Sequence, residues 1–271
     1  MTAELFVRRA GEGPAVVLLH GLFGSGGNLG ALSRALQTEF SVYSVDLPGH
    51  GRSGWLLDPD LPAMADSVYR WMDGEGLARA HLVGHSLGGK VAMQFALQHG
   101  ARADSLVVAD IAPVSYMRHH DAVFTALAAV AAQQCRSRDE AAALLARHLR
   151  EPGVAQFLLS SLQRDDNGVY RWRFDLSGLE SGYAALLAAP EAEHAYAGPV
   201  LFIKGGTSDY IQEQHWPAVQ ARFPNAAIKV MPDCGHWLHA EKPQQFNGIV
   251  RRFLEAQEQR KLALQRAGRE S

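Results

Sequence analysis

The sequence predicts an α/β chain: a mostly parallel central sheet with helices on both faces and a helical insertion before the penultimate strand. Three observations predict it. Short apolar runs alternate with segments of helical spacing over the first part of the chain. Each run ends in a loop rich in Gly, Pro or polar residues. The alternation lapses between residues 114 and 196, where helical spacing dominates, and then resumes. Strands separated by helices need crossover connections, and these give a parallel sheet with its chemistry at the carboxyl ends of the strands.

Glu4 to Arg9 reads as a short strand, closed by the turn Gly11-Glu12-Gly13-Pro14. Ala15 to Leu19 is a continuous Val- and Leu-rich run, as a strand buried on both faces requires. Asn28 to Thr38 carries Leu29, Leu32 and Leu36 on one helical side. Phe40 to Val45 is the next strand, and it ends at Asp46-Leu47-Pro48-Gly49-His50-Gly51. Leu61 to Gly74 is helical, His81 to Val83 extended, Gly88 to His99 helical and Ser105 to Ala109 extended. The insertion holds helical segments at Val123–Gln134, Asp139–Leu149 and Val154–Leu162, a turn at Asn167-Gly168, and an alternating stretch over Tyr170–Phe174. Val200 to Lys204 and Ala227 to Met231 are the last two strands, and Pro243 to Gln257 or beyond is the closing helix. The charged tail from Arg260 to Ser271 is expected to fray. The division is therefore a core of residues 1–113 and 197–271 with a helical cap over 114–196.

A chain of 271 residues is long enough for one large domain that buries a core without disulfides or a structural metal. The formal net charge of -2 gives no reason to expect nucleic acid or an anionic membrane as a partner. Two cysteines, Cys135 and Cys234, are too few for a disulfide framework and fit a reducing, cytoplasmic setting. The first thirteen residues show no apolar signal region, and no run approaches the ~20 apolar residues of a membrane span. Composition leaves monomer and homodimer equally open.

The chemistry concentrates at strand ends. Gly84-His85-Ser86-Leu87-Gly88 matches Gly-x-Ser-x-Gly between a strand and a helix, the context in which a sharp turn lifts a serine hydroxyl to its tip. A serine is a weak nucleophile until a base takes its proton. Of the twelve histidines, His236 lies just after the last strand and best fits that role. His239 falls inside the next helical turn, His85 is expected to point away from the nucleophile, and His20 to brace the neighbouring loop. His119-His120-Asp121 lacks the spacing of a helical ligand pair, so no metal is expected. The acid that orients His236 stays open between Asp110 and Asp209, since both end strands. The amides of Leu87 and of the His20–Gly24 loop, Leu22 first and Phe23 next, are the candidates for an oxyanion hole. Phe23, Met117, Phe124, Phe157, Trp172 and Trp237 are candidates for an apolar substrate pocket, and Arg118, His119 and His120 for contact with a leaving group.

His20-Gly21, Asp46-Leu47-Pro48-Gly49-His50-Gly51-Arg52-Ser53, Gly84–Gly89 and Gly235-His236 together resemble the α/β-hydrolase superfamily over nearly the whole chain. His20–Ser25 with Asn28-Leu29, Gly88-Gly89-Lys90, Asp110-Ile111-Ala112-Pro113 and Gly235–Pro243 resemble its YbfF-type esterase subgroup. That resemblance implies a helical cap and hydrolysis of short to medium acyl esters or thioesters, with no cofactor. It also implies that the catalytic acid is the aspartate matching Asp110. Asp209 departs from the subgroup and stands where most of the wider superfamily keeps its acid. Ser86 argues against dehalogenases and epoxide hydrolases, which carry aspartate at the elbow. The alternatives are a cofactor-free haloperoxidase-like or carbon–carbon bond hydrolase and, of another class, a catalytically silent ligand-binding or sensing protein.

Overall fold

In the computed structural model, which describes residues 2–191 and 193–267, the alternating runs become nine strands and eleven α-helices. The strands are β1 (Val7–Ala10), β2 (Ala15–Leu19), β3 (Ser41–Val45), β4 (Ala80–His85), β5 (Ala103–Ala109), β6 (Leu162–Arg164), β7 (Tyr170–Trp172), β8 (Val200–Gly205) and β9 (Ala226–Met231). The helices of the first part are α1 (Gly30–Leu36), α2 (Leu61–Gly74) and α3 (Leu87–Gln98). Between β5 and β8 lie α4 (Asp121–Gln133), α5 (Arg138–His148), α6 (Pro152–Leu159), α7 (Leu176–Ser181) and α8 (Tyr183–Leu187). The chain closes with α9 (Trp216–Arg222), α10 (Leu238–Glu241) and α11 (Pro243–Ala267).

Seven strands form one sheet in the order β1-β3-β2-β4-β5-β8-β9. Only β1 runs antiparallel to its neighbour; every other pairing is parallel. Alternate residues of the central strands feed opposite faces, as the pleat demands. Val17, Leu19, Leu82, Leu106, Val108 and Phe202 join the core beneath α2 and α3. Val16, Leu18, Val83, Val107, Leu201 and Ile203 join the core beneath α1 and α11. Both faces of these strands are buried, which is why they read as unbroken apolar runs. No helix among the described residues is long and apolar enough to cross a membrane.

Two elements differ from the sequence reading. The inserted segment contains a small antiparallel hairpin, β6 with β7, where helix was expected to reach Leu162. The tail expected to fray is helical through Ala267: Lys261 pairs with Asp104 at 2.9 Å and so ties the last turns of α11 to the start of β5. Residues 268–271 of that tail lie outside the described residues.

One buried lysine fastens the neck of the insertion. Lys90 on α3 is 2 % exposed, and its ammonium donates to the carbonyl oxygens of Val114, Leu187 and Ala188. Val114 lies where the chain leaves the sheet; Leu187 and Ala188 close α8 on the way back. Burial pushes the Lys90 pKa down to about 7, because a desolvated ammonium is disfavoured relative to the neutral amine.

Candidate active site

The strand-to-helix turn at the end of β4 is steep enough that only glycine fits beside the serine. A Cβ at Gly84 would stand 2.2 Å from the Gly88 carbonyl oxygen, and one at Gly88 would stand 2.2 Å from the Leu19 carbonyl oxygen. Gly88→Ala is therefore expected to destabilise the fold by about 1–3 kcal/mol, because backbone has to move. Urea unfolding reads this, and an unchanged midpoint would contradict so close an approach. Ser86 itself sits at φ 53, ψ -118, a conformation that costs an L-residue strain and that the flanking packing enforces.

Ser86 Oγ lies 3.0 Å from His236 Nε2, and His236 Nδ1 lies 2.8 Å from Asp110 Oδ2. Asp110 is fully buried and receives two further donors: the Gly205 amide at 2.9 Å on Oδ1 and the Ser208 hydroxyl on Oδ2. A carboxylate surrounded by donors can only accept, so His236 Nδ1 carries its proton and Nε2 is free to accept from Ser86. Tyr210 stacks on the His236 ring at 4.0 Å and 22°, which fixes the ring plane. The Tyr210 carbonyl in turn accepts from the Tyr116 hydroxyl, joining the loop after β8 to the segment after β5.

Asp209 is not part of this chain of bonds. Its side chain is exposed, and its neighbour Ser208 turns inward to Asp110 instead. Of the two carboxylates that the sequence reading kept open, the structure brings Asp110 to His236 and leaves Asp209 outside. Ser208 was missed because a hydroxyl beside a carboxylate carries no distinguishing pattern in one sequence.

The loop after β2 is held by two neutral histidines. His20 accepts from the Leu47 amide at 3.0 Å on Nε2 and donates from Nδ1 to the Gly21 carbonyl at 2.8 Å. His50 accepts from the Phe23 amide at 3.1 Å and donates to the Pro48 carbonyl at 2.9 Å. Burial lowers the His20 pKa to about 4; burial, with His20 adding to it, lowers that of His50 to about 3. Because the Phe23 amide is occupied, Phe23 drops out as an oxyanion donor. The Leu22 amide has no hydrogen-bond partner among the described residues. Leu87 opens α3, so its amide is one of those that helix geometry leaves without an intrahelical partner. The Phe23 carbonyl accepts from Ser161 of the inserted segment at 2.7 Å, and the Phe23 ring packs on Phe124 and Phe174 from the same segment.

His85 was expected to turn away from the nucleophile. Its ring lies under His236, with centroids 4.8 Å apart, and its Nε2 donates to the His236 carbonyl at 2.8 Å. His239 also packs against His85, with ring centroids 4.4 Å apart. Desolvation holds both neutral, with His85 well below its usual range and His239 at about 4.

Two cavities meet at Ser86. The larger, about 70 Å³, is bounded by Phe23, Val123, Val154, Phe157, Leu158 and Trp237, with His236 on its wall. The smaller, about 30 Å³, is bounded by Leu87, Lys90, Ile111, Tyr116, Leu186, Leu187 and Tyr210. Three residues expected to line a pocket do not. Met117 is 89 % exposed on the surface. Phe124 is consumed by core packing against Phe23 and Tyr183. Trp172 stacks on Phe174 and donates to the Leu127 carbonyl at 3.0 Å. Of the polar trio after β5, Arg118 pairs with Asp121, His119 bonds the Tyr210 hydroxyl at 2.8 Å, and His120 borders both cavities.

Among the described residues, metal-ligating side chains come together at His81, Asp104 and Glu258, at the opposite end of the sheet. There Arg79 and Lys261 already neutralise Asp104, at 2.5 and 2.9 Å.

Comparison with known proteins gives one consistent answer. The model of a family described by the alpha/beta hydrolase fold matches residues 14–243. Esterase YbfF of Escherichia coli K12 is 40% identical over 242 residues, covering 88% of this chain and 92% of that protein. The sn-1-specific diacylglycerol lipase ABHD11 of Mus musculus is 37% identical over 249 residues, covering 89% of this chain and 81% of that protein. The structure of a marine microorganism esterase superposes with a TM-score of 0.89 at 33% identity, covering 92% of this chain and 98% of that one. With the family model spanning most of its length, the chain belongs to the α/β-hydrolase family and is an α/β-hydrolase of the YbfF type.

Proposed function

We propose that this carboxylic ester hydrolase cleaves esters and thioesters of short to medium acyl chains through an acyl-enzyme on Ser86. The observation that carries the reading is the continuous relay from Ser86 Oγ to His236 Nε2 and from His236 Nδ1 to buried Asp110. His236 takes the hydroxyl proton as Ser86 attacks the carbonyl carbon. The negative charge that develops on the carbonyl oxygen meets the Leu22 and Leu87 amides, at the positive end of α3. His236, now an imidazolium steadied by Asp110, protonates the departing alcohol or thiol. It then takes a proton from the water that attacks the acyl-enzyme and gives that proton to Ser86 Oγ as the acyl–oxygen bond breaks, releasing the acid and restoring the serine. No step calls for a metal or organic cofactor. Residues 114–196 act as the cap that shields this chemistry from bulk water and shapes the substrate cavities. Two buried free cysteines, Cys135 and Cys234, fit a reducing cytoplasm.

The relatives' names, esterase and diacylglycerol lipase, support an ester carbonyl as the reacting group. The test is a fluorophosphonate probe run beside a p-nitrophenyl acyl series from acetate to octanoate. Wild type is expected to take the label and turn over at least the short esters; Ser86→Ala is expected to do neither. Folded wild type that is neither labelled nor active on any ester would sink the reading and favour a binding or sensing role.

A further inference from the structure

We infer that the acyl chain of the substrate lodges in the smaller of the two cavities at Ser86, and that this cavity favours the short end of the acyl range. The inference rests on the esterase reading above and adds which cavity holds which half of the substrate.

Tetrahedral geometry makes the assignment. The reacting carbon, once bonded to Ser86 Oγ, carries three other substituents. The oxyanion faces the Leu22 and Leu87 amides. The leaving group lies within reach of His236 Nε2, 3.0 Å from Ser86 Oγ, because that nitrogen must protonate it. The acyl chain takes the remaining direction. His236, Trp237 and His239 line the larger cavity, so the leaving group departs there. The smaller cavity touches Ser86, Leu22 and Leu87 but not His236, so it is the one left for the acyl chain.

Its walls suit a hydrocarbon. Ile111, Leu186 and Leu187 are apolar. Most of the polar groups around it are engaged with one another: the Tyr183 hydroxyl bonds His120 Nδ1, which leaves the His120 Nε2 edge as the polar part of the wall. The Lys90 ammonium is held by three backbone carbonyls, so its methylenes are what the cavity meets. The Tyr116 hydroxyl bonds the Ala112 amide and the Tyr210 carbonyl, and the Tyr210 hydroxyl bonds His119. At about 30 Å³ it is less than half the size of the larger cavity, at about 70 Å³, and so suits the shorter acyl chains. A butyryl chain is expected to fit there better than an octanoyl chain.

The experiment compares kcat/KM on p-nitrophenyl acetate, butyrate, hexanoate and octanoate for wild type, Leu187→Ala, Leu187→Phe and Phe157→Ala. Leu187 is only half-buried, so both changes at this site are compatible with folding. Wild type is expected to lose at least about 30-fold between butyrate and octanoate. Leu187→Ala should cut that loss to about 5-fold or less, and Leu187→Phe should instead depress butyrate against acetate by about tenfold. Phe157→Ala, which opens the larger cavity, should alter preference among acetates of bulky alcohols while the acyl-length ratio stays put. Equal rates on butyrate and octanoate in wild type overturn the assignment. So does an acyl-length ratio that moves with Phe157→Ala but not with either Leu187 variant. Those outcomes leave the esterase reading standing; wild type inactive on every ester removes both.

Discussion

Asp110→Asn is expected to lower kcat by about 10⁴-fold, while Asp209→Asn stays within about twofold of wild type. The asymmetry follows from what surrounds each side chain. Three donors converge on Asp110: the Gly205 amide, the Ser208 hydroxyl and His236 Nδ1. An asparagine offers one acceptor oxygen and an NH2 group that itself donates, so one donor is left facing another. The cheapest escape is for His236 to move its proton to Nε2. That places a donor where Ser86 needs an acceptor, and the general base is gone although the geometry is intact. Ser208→Ala removes one charge-assisted bond from the same carboxylate, so a loss of about tenfold is expected. Steady-state kinetics on a short p-nitrophenyl ester reads all three variants. If Asp209→Asn proves the crippling change, the loop after β8 rearranges when substrate binds, and the relay described above is not the working one.

Acid should unfold this protein at unusually mild pH. His20, His50, His85 and His239 are all held neutral by burial, with pKa values lowered to about 4 for His20 and His239, to about 3 for His50, and well below the ordinary value for His85. In the unfolded chain each returns to near 6.5. Below that pH the unfolded state binds protons that the folded state refuses, so the contribution of these four rings is full above about pH 7 and falls as pH drops towards 4. Each imidazole contributes about 1.4 kcal/mol per pH unit over that window, so four together approach roughly 5 kcal/mol per unit. A domain stable by about 5–15 kcal/mol has little left within two or three units. Urea unfolding at pH 7, 6 and 5 should show the midpoint sliding down steeply. A midpoint flat across that range would mean the four rings are hydrated or charged in the native state.

The central strands were legible because they are buried on both faces. Such strands are apolar at most positions, and that sets them apart from turns and surface helices. Ala15–Leu19 and Leu61–Gly74 match the structure's bounds residue for residue. The turn at Asn167-Gly168 and the second strand of the hairpin, β7, were legible as a turn and an alternating stretch; the first strand, β6, was not, because its three residues follow directly on a helical pattern. Ser86 and His236 stood out because a tight turn and a strand end restrict which residues fit there. The acid did not, since spacing along the chain puts Asp110 and Asp209 equally at strand ends. What separates them is which side chain turns inward, and that depends on the Gly205 amide and on Ser208 across the sheet. The packing of His85 under His236 was likewise out of reach, because it depends on a contact between residues 151 positions apart.

The lysine at the neck has a consequence for how this scaffold can diversify. Its three bonds end on main-chain oxygens, which every residue supplies whatever its side chain. Position 187 therefore does two independent jobs: its carbonyl anchors the excursion, and its side chain borders the cavity beside Ser86. Selection can rewrite the second without loosening the first. An excursion of different sequence spliced between positions 114 and 187 is expected to keep the same backbone socket for the Lys90 ammonium.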